Sequence, residues 1–294
     1  MFARAFVLIP IVGVALVGSG CALDLEAQVI SATGEFERQL TVAGPVDLDV
    51  RTGSGAIAIR TGEPGQVRVV GRVKAHRGFW NSRSAEERVR QIEATPPITQ
   101  NGNSIRIGEF DDRDLSRNVS ISYQIIVPPD TSVRSRTGSG SQDIASLGGR
   151  VEAQTGSGSI QLGRIVGAVS ASTGSGSIAV QGAGGGLSAR TGSGSIAADG
   201  VTGSVRAHTG SGRVSITGNP TADWAIQTGS GSIDLRLPAD AAFELNARTG
   251  SGTIDTRHPI ELRGSLSRRH LQGRIRGGGP RLDVSAGSGS IRLE

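Results

Sequence analysis

The sequence predicts an all-β protein, a single-stranded parallel β-solenoid of the β-helix type with TGSG rungs of about 18 residues. Two observations predict this fold: the TGSG motif recurs at a fixed interval, and apolar and polar residues alternate on both sides of it. The composition agrees, because 45 of the 294 residues are Gly and only 3% are aromatic. Such a chain must bury small aliphatic side chains in many similar layers, as a solenoid does.

The TGSG motif is the primary repeat. Four consecutive steps between copies are 18 residues long, and the next two are 19 and 21 residues long. A fixed period indicates stacked units, each of which buries its apolar face against the next. A degenerate copy, AGSG, begins at Ala286. Complete copies begin at Thr52, Thr137, Thr155, Thr173, Thr191, Thr209, Thr228 and Thr249.

Each repeat is predicted to form a strand, a corner, a second strand and a second corner, and this unit is called a rung. Val151, Ala153 and Thr155 alternate with polar residues before one motif, and Ile160 and Leu162 do so after it. A period of two means that one face of each strand is buried. We expect the repeat Thr and corner Ser hydroxyls to find structural partners at the corners. The second corner is predicted at Gly163, Gly182, Gly200 and Gly218.

The repeats divide the chain into an irregular and a regular part. Residues 41–130 are predicted to form an irregular N-terminal part of the solenoid, and residues 131–294 its regular part. Residues 257–281 are an Arg-rich insertion before the last rung at 282–293.

The irregular part contains the one predicted helix, residues 84–94. Ser84 is its expected N-cap, and Glu87 completes a capping box. We expect this helix and the Arg-rich insertion to cover the ends of the solenoid, because open strand edges need protection.

The N-terminus predicts export. Arg4 precedes an apolar run, and small residues lead to Cys21, so residues 1–20 are predicted to be a signal peptide. The placement of Cys21 resembles a bacterial lipoprotein signal, which implies that Cys21 is acylated and becomes the first mature residue. We therefore expect an outer-membrane lipoprotein facing the periplasm or the cell surface, with residues 21–40 as a linker. Cleavage near Ala22, giving a secreted soluble protein, is the alternative.

Three segments carry a family resemblance: TGSGSI at 155–160, VSISYQIIVP at 119–128, and GGGPRL at 277–282. They resemble a family of bacterial adhesin-like proteins with a toast-rack, β-helix-like domain, and the resemblance covers about residues 40–294. It implies a cell-envelope location and an adhesin-like or envelope-sensing role. It implies no catalytic residues, because the family motif defines a fold.

No catalytic, cofactor or metal site is predicted from the residues. The repeats lack the calcium-binding GGxGxD pattern, and the chain has no HExxH motif, no phosphate-binding loop and a single Cys. The four His residues are scattered along the sequence: His76, His208, His258 and His270.

One pair of carboxylates could do chemistry. Asp234 and Asp255 occupy the same outward position in successive repeats, so stacking predicts a separation of about 5 Å. Carboxylates at that spacing can serve glycoside hydrolysis. Arg236 and Arg257 follow two residues later on the same face, which favours a surface charge ladder instead.

The charge of the chain points to partners rather than substrates. A formal net charge of +5 suits contact with anionic surfaces such as acidic glycans, so the expected partner is an envelope polysaccharide or a protein, in addition to a membrane reached through the lipid on Cys21. No nucleic acid is expected, because no aromatic and basic recognition motif is present. The candidate binding face is one outward column of the repeats. Its members are Arg136, Gln154, Arg190, His208, Gln227 and Arg248.

The sequence therefore predicts a non-enzymatic, adhesin-like or structural solenoid of the cell envelope that binds a polymer or protein through its repetitive polar face. An envelope-stress sensor or accessory domain is the alternative. A polysaccharide-active solenoid enzyme is a more remote one.

Overall fold

The computed structural model describes residues 30–76, 83–262 and 267–294. The predicted signal peptide and Cys21 lie outside the described residues, so their assignment stays a prediction. The first elements, in chain order, are β1 (Ile30–Thr41), β2 (Val46–Thr52), β3 (Ile57–Thr61), β4 (Gln66–His76), α1 (Ala85–Ala94), β5 (Ile98–Asn101), β6 (Ser104–Ile107), α2 (Arg113–Ser116) and β7 (Val119–Val127).

The regular repeats follow, with two strands in each rung. They are β8 (Thr131–Thr137), β9 (Gln142–Leu147), β10 (Val151–Thr155), β11 (Ile160–Ile165), β12 (Val169–Thr173), β13 (Ile178–Ala183), β14 (Leu187–Ser193), β15 (Ile196–Val201), β16 (Val205–Ser211), β17 (Val214–Gly218), β18 (Trp224–Ser230) and β19 (Ile233–Arg236). The last elements are β20 (Phe243–Ser251), β21 (Ile254–Thr256), β22 (Ile260–Leu262), β23 (His270–Ile275), β24 (Arg281–Ser288) and β25 (Ile291–Leu293).

The strands form two sheets that face each other. Sheet A has the order β1-β4-β7-β3-β9-β11-β13-β15-β17-β19-β25-β21, and sheet B has the order β22-β23-β20-β24-β18-β16-β14-β12-β10-β8-β2-β6-β5. Each rung gives one strand to each sheet, and equivalent strands of successive rungs pair in parallel, as β10 does with β8 and β12. The predicted parallel β-solenoid is confirmed. Antiparallel pairing occurs only near the two ends of the stack among the described strands.

The core lies between the two sheets and is built from aliphatic columns. Val151 and Ala153 of sheet B, and Ile160 and Leu162 of sheet A, are all buried, as the alternation predicts. Each lies directly beside its counterpart in the next rung, so Ile160 pairs with Ile178. Full burial of such a side chain contributes roughly 1.5–3 kcal/mol, and the repeat multiplies this contribution along the axis.

The repeat threonines bind neighbouring rungs together at the first corner. Thr155 is buried, and its hydroxyl donates to the carbonyl of Gly140 in the preceding rung at 3.0 Å. The same oxygen accepts a hydrogen bond of 3.1 Å from the amide of Gly158 in its own rung. The expected inward orientation of Thr and its corner partners are thus confirmed.

The glycines of this corner are required by the spacing of the rungs. A Cβ atom at Gly158 would lie 1.9 Å from the carbonyl oxygen of Gly140. The same holds one rung earlier, where a Cβ at Gly140 would lie 1.8 Å from the oxygen of Gly55. Stacked backbones therefore leave no room for a side chain at this position.

The second corner begins one residue later than the sequence suggests in one rung. Register pairs Gly163 with Gln181 and places Arg164 opposite Gly182, so Gly163 comes one residue before the position where the chain turns. Arg164 has a φ of 51° and Gly182 a φ of 77°, and this left-handed residue turns the chain so that the next side chain, such as Ile165, is buried. The prediction at Gly182 is correct, and the one at Gly163 is wrong.

The final rung does not lie at the end of the stack. β24 pairs in parallel with both β18 and β20, and β25 pairs with both β19 and β21. The last rung in the sequence is therefore inserted between two rungs that precede it.

Both predicted covers are present at the ends. Ser84 and Glu87 form the capping box of α1, and the buried Val89 and Ile92 face the core as α1 packs against β1 and β4. The Arg-rich insertion supplies β22 and β23, which pair antiparallel at the edge of β20.

Two features of the N-terminal part differ from the sequence prediction. The linker predicted for residues 21–40 is wrong from Ile30 onward, because β1 extends sheet A by pairing antiparallel with β4. A second, four-residue helix, α2, begins after the N-cap Asp112.

Candidate binding surface

The outward face of sheet B brings the predicted column of polar residues into line. Arg136 lies beside Gln154, and further along the axis Arg190 lies beside His208, which lies beside Gln227. Ser172 fills the place between Gln154 and Arg190. These neighbours are separated by one strand spacing, about 4.8 Å.

The final rung adds a residue to the predicted column near Arg248. Ser285 of β24 lies between Gln227 and Arg248, so these two candidates are not adjacent. At the other end, Arg51 of β2 pairs with Arg136 and extends the column by one rung.

Arg136 belongs to an ion-pair network rather than to a free surface. Its guanidinium lies 3.5 Å from Glu152 and 4.0 Å from Asp49. Arg134 lies 3.2 Å from Glu152, and Arg51 lies 3.0 Å from Asp49. The hydrogen bond to Asp49 raises the pKa of Arg51 above its ordinary value. Positive charge at this end is therefore neutralised by neighbouring carboxylates.

This network borders an open cavity of about 570 Å³ on the same face. Asp47, Asp49 and Glu152 line it together with Arg106 and Arg134. A second cavity, of about 310 Å³, lies near the inserted rung, and both have walls of mixed charge. Neither cavity favours a ligand of one sign.

Between β14 and β20, sheet B carries exposed cations without carboxylate partners. Arg190, Arg206 and Arg248 are exposed, and none of them has an acidic partner at ion-pair distance within the described residues. His208, also exposed, lies directly beside Arg190. We call Arg190, Arg206, His208 and Arg248 the basic strip.

Arg206 is the member of the basic strip that the sequence column omits. It lies on β16 two residues before His208, on the same outward face, and it is diagonal to Arg190 across one strand pair. Diagonal neighbours in a sheet are about 7–8 Å apart, close enough to contact one ligand. Reading the two outward columns of each strand together would have found it.

The predicted carboxylate pair is not formed. Asp234 and Asp255 pair with the same residue, Arg292 of the inserted β25, and so lie on opposite sides of it. Arg292 and Arg213 lie 3.7 Å and 3.6 Å from Asp234. The expected separation of one strand spacing is wrong, and a charge ladder occupies this face of sheet A.

The corner serines differ from the threonines beside them. Every one of the aligned corner serines is exposed, and their hydroxyls make no side-chain hydrogen bond recorded among the described residues. The structural role expected for this column is therefore wrong. Its members are Ser139, Ser157, Ser175, Ser193, Ser211, Ser230 and Ser251.

The parallel two-sheet stack and its TGSG corners can now be compared with known proteins. The model of the Toastrack DUF4097 family matches residues 46–294 of this chain. The chain belongs to the Toastrack family. The resemblance noted from residues 155–160, 119–128 and 277–282 is thereby confirmed.

Solved structures with a related arrangement have low sequence identity to this toastrack chain. A putative adhesin from Bacteroides fragilis is 14% identical, with a TM-score of 0.46 and coverage of 89% of this chain and 97% of that one. A putative cell adhesion protein from Clostridium sporogenes is 13% identical, with a TM-score of 0.28 and coverage of 88% and 99%. No match is found among curated proteins.

Across residues 30–76, 83–262 and 267–294, no group of three His, Cys, Asp or Glu side chains is arranged to hold a metal ion. Both helices in this part of the chain are too short and too polar to cross a bilayer.

Proposed function

We propose that this toastrack chain is a non-enzymatic, adhesin-like component of the cell envelope that binds an anionic polysaccharide through the basic strip of sheet B. The observation that carries this proposal is the set of exposed arginines, Arg190, Arg206 and Arg248, that lack carboxylate partners. Several other outward arginines are paired instead, as Arg257 is with Glu294 at 3.4 Å.

A linear polymer suits the strip better than a compact ligand. The strip follows the solenoid axis, and each rung presents its side chains at the same strand spacing of about 4.8 Å. A chain of anionic sugars lying along this axis can reach Arg190 and His208 in adjacent rungs, and Arg248 three strand spacings beyond His208. Each contact is weak because the arginines are exposed, so affinity depends on several contacts at once.

Charge, rather than ring stacking, would drive this binding. Aromatic residues make up 3% of the chain, and Trp224 and Phe243 are buried in the core. Trp224 and Phe243 thus offer no stacking platform for a neutral sugar polymer on the described face of sheet B. We expect binding to weaken as salt rises, since exposed charges are screened over about 10 Å at 0.1 M ionic strength.

The non-enzymatic part of the proposal is supported by the separation of Asp234 and Asp255. Arg292 between them removes the separation of about 5 Å that a retaining glycoside hydrolase uses. The remote alternative of a polysaccharide-active enzyme thus loses its best candidate residues.

A paired set of charge reversals tests the binding surface. We expect the double variant Arg190→Glu, Arg248→Glu to elute from immobilised alginate at a lower salt concentration than the unchanged chain. Neutral dextran should retain neither the double variant nor the unchanged chain. The matched control is Arg213→Glu with Arg236→Glu, which changes net charge equally at exposed positions away from sheet B. Equal loss of retention in both double variants would show that only net charge matters and would refute the proposed surface.

The proposed location is the cell envelope, with the chain exported and held by a lipid on Cys21. β1, which follows this segment, is the edge strand of sheet A. At the same end of the stack, β5 is the edge strand of sheet B. Six strand spacings separate β5 from β14, which carries Arg190, so the basic strip begins about 30 Å from this edge. Mass spectrometry of the mature N-terminus tests the anchor: acylated Cys21 supports it, and an unmodified terminus at Leu23 or later contradicts it.

A further inference from the structure

The final rung lies between two rungs that precede it in the sequence. β18 and β20 are complete strands of the same repeat pattern, and both precede β24 in the sequence. Ser288 pairs with Ser230 on one side and with Ser251 on the other. The amide of Gly231 donates to the Ser288 carbonyl, and that of Gly289 donates to the Ser251 carbonyl, each at 2.8 Å. The rung of β18 and β19 and the rung of β20 and β21 thus form a slot, which β24 and β25 fill.

The link into the final rung is built as a hinge. Arg276, Gly277 and Gly278 have φ values of 52°, 83° and 89°, and Pro280 follows directly before β24. A Cβ atom at Gly277 would meet nothing within 4 Å, so this part of the link is not packed against the body. The link is held beyond Gly277, where the amide of Glu244 donates to the Pro280 carbonyl at 2.9 Å, so exchange of the final rung requires this hydrogen bond to break and re-form.

Leaving the slot empty is unfavourable for the donor rung. Leu282, Val284, Ile291 and Leu293 are all buried in it, and each would return to water if β18 closed directly on β20. A second copy of the chain, however, offers a rung with the same residues and the same register. Exchange of an identical element between copies keeps every such contact, which makes it a low-cost route to association.

We propose that the slot between β18 and β20 is a strand-acceptor site whose partner is a second copy of this chain, which donates its final rung. Intramolecular insertion competes with exchange, because a short hinge gives the chain's own rung a high effective concentration. Exchange therefore increases when copies are crowded together, and it joins two basic strips in one assembly.

Disulfide trapping at the exposed corner serines tests this proposal. Two full-length chains, each with Cys21→Ser, carry Ser230→Cys and Ser288→Cys respectively, and these positions are register partners in neighbouring strands. The chains are unfolded together, refolded at increasing concentration and oxidised. In the matched control, the chain with Ser230→Cys is replaced by a chain with Ser211→Cys. Ser211 pairs with Ser230, so it lies two strands from Ser288.

We expect the yield of disulfides between the chain with Ser230→Cys and the chain with Ser288→Cys to rise with protein concentration. This yield should exceed that of the control, Ser211→Cys with Ser288→Cys, several-fold. A single chain carrying both Ser230→Cys and Ser288→Cys should close an internal disulfide at low concentration, which confirms the slot register. If the single chain closes but the mixed chains stay at the control level at every concentration, exchange does not occur. If the single chain fails to close, the slot itself is wrong.

Discussion

Thr249 donates a hydrogen bond of 2.7 Å to the carbonyl of Gly289, which follows it by 40 positions in the sequence. The repeat threonines from Thr137 to Thr228 donate backwards, as Thr173 does to Gly158, 15 positions earlier. This reversal marks the place where the final rung enters the stack. Within the regular repeats, sequence order and stacking order agree from β8 to β19 and differ beyond β19.

The hydrogen bonds of the repeat threonines predict that the same Thr→Val substitution lowers the unfolding free energy by different amounts at different rungs. Thr173→Val removes a donor to the Gly158 carbonyl and an acceptor for the Gly176 amide, so we expect a loss of about 2 kcal/mol in unfolding free energy. Thr209→Val removes only the bond to Gly194 and should cost about 1 kcal/mol. Denaturant unfolding measures both.

The exposed Ser175, two residues from Thr173, is the control for the threonine series. Ser175→Ala should stay within about 0.5 kcal/mol of the unchanged chain, because its hydroxyl faces solvent. A loss as large as that of Thr173→Val would mean that the serines, not the threonines, hold the corners.

Equivalent glycines of the repeat should differ in their tolerance of a side chain. A Cβ at Gly174 would lie 2.5 Å from the Gly156 carbonyl oxygen, whereas a Cβ at Gly53 would meet nothing within 4 Å. We expect Gly174→Ala to lower the unfolding free energy by about 1–3 kcal/mol and Gly53→Ala to leave it nearly unchanged. Thermal melts that rank the two variants the other way would contradict the stacking of the corners.

The aliphatic columns predict that a single buried charge abolishes the fold. Ile178 is 1% exposed and stacks between Ile160 and Ile196, so Ile178→Asp places an unpaired carboxylate in the core. Far-UV circular dichroism should show loss of the cooperative melt. Ala179→Asp, at the neighbouring exposed position, should melt like the unchanged chain. Similar melts for both aspartates would refute the inward orientation of Ile178.

Tyr123 reports on unfolding at high pH. It is the single Tyr of the chain, and burial raises the pKa of its hydroxyl above the ordinary value of about 10. The neutral form is favoured in the folded state, so this contribution to stability is complete below about pH 10 and is lost as pH rises further. Phenolate absorbance should therefore appear together with the loss of strand signal. A titration near pH 10 while the fold persists would show that Tyr123 is accessible.

Much of the fold follows from the period of the sequence, because alternation fixes which side chains point inward. Thr155, Ile160 and the capping box of Ser84 are all placed correctly on that basis. The order of the last rungs could not be predicted, since TGSG rungs are interchangeable and any one fits beside any other. The error at Asp234 and Asp255 has this cause.

The candidate surface was predicted in outline but not in detail. Repetition correctly aligns Arg190 with His208. It cannot show that Arg136 is neutralised by Asp49, because the two lie 87 positions apart in the sequence and meet only through the pairing of β2 with β8. β1 was missed for a similar reason: it is a strand because β4 offers it an edge.

The most direct test of the inserted rung is a set of nuclear Overhauser contacts in the isotopically labelled chain. The account predicts backbone contacts from Ile291 to both Ile233 and Ile254, since β25 pairs with β19 and β21. Contacts directly between Ile233 and Ile254, with Ile291 beside only one of them, would contradict it.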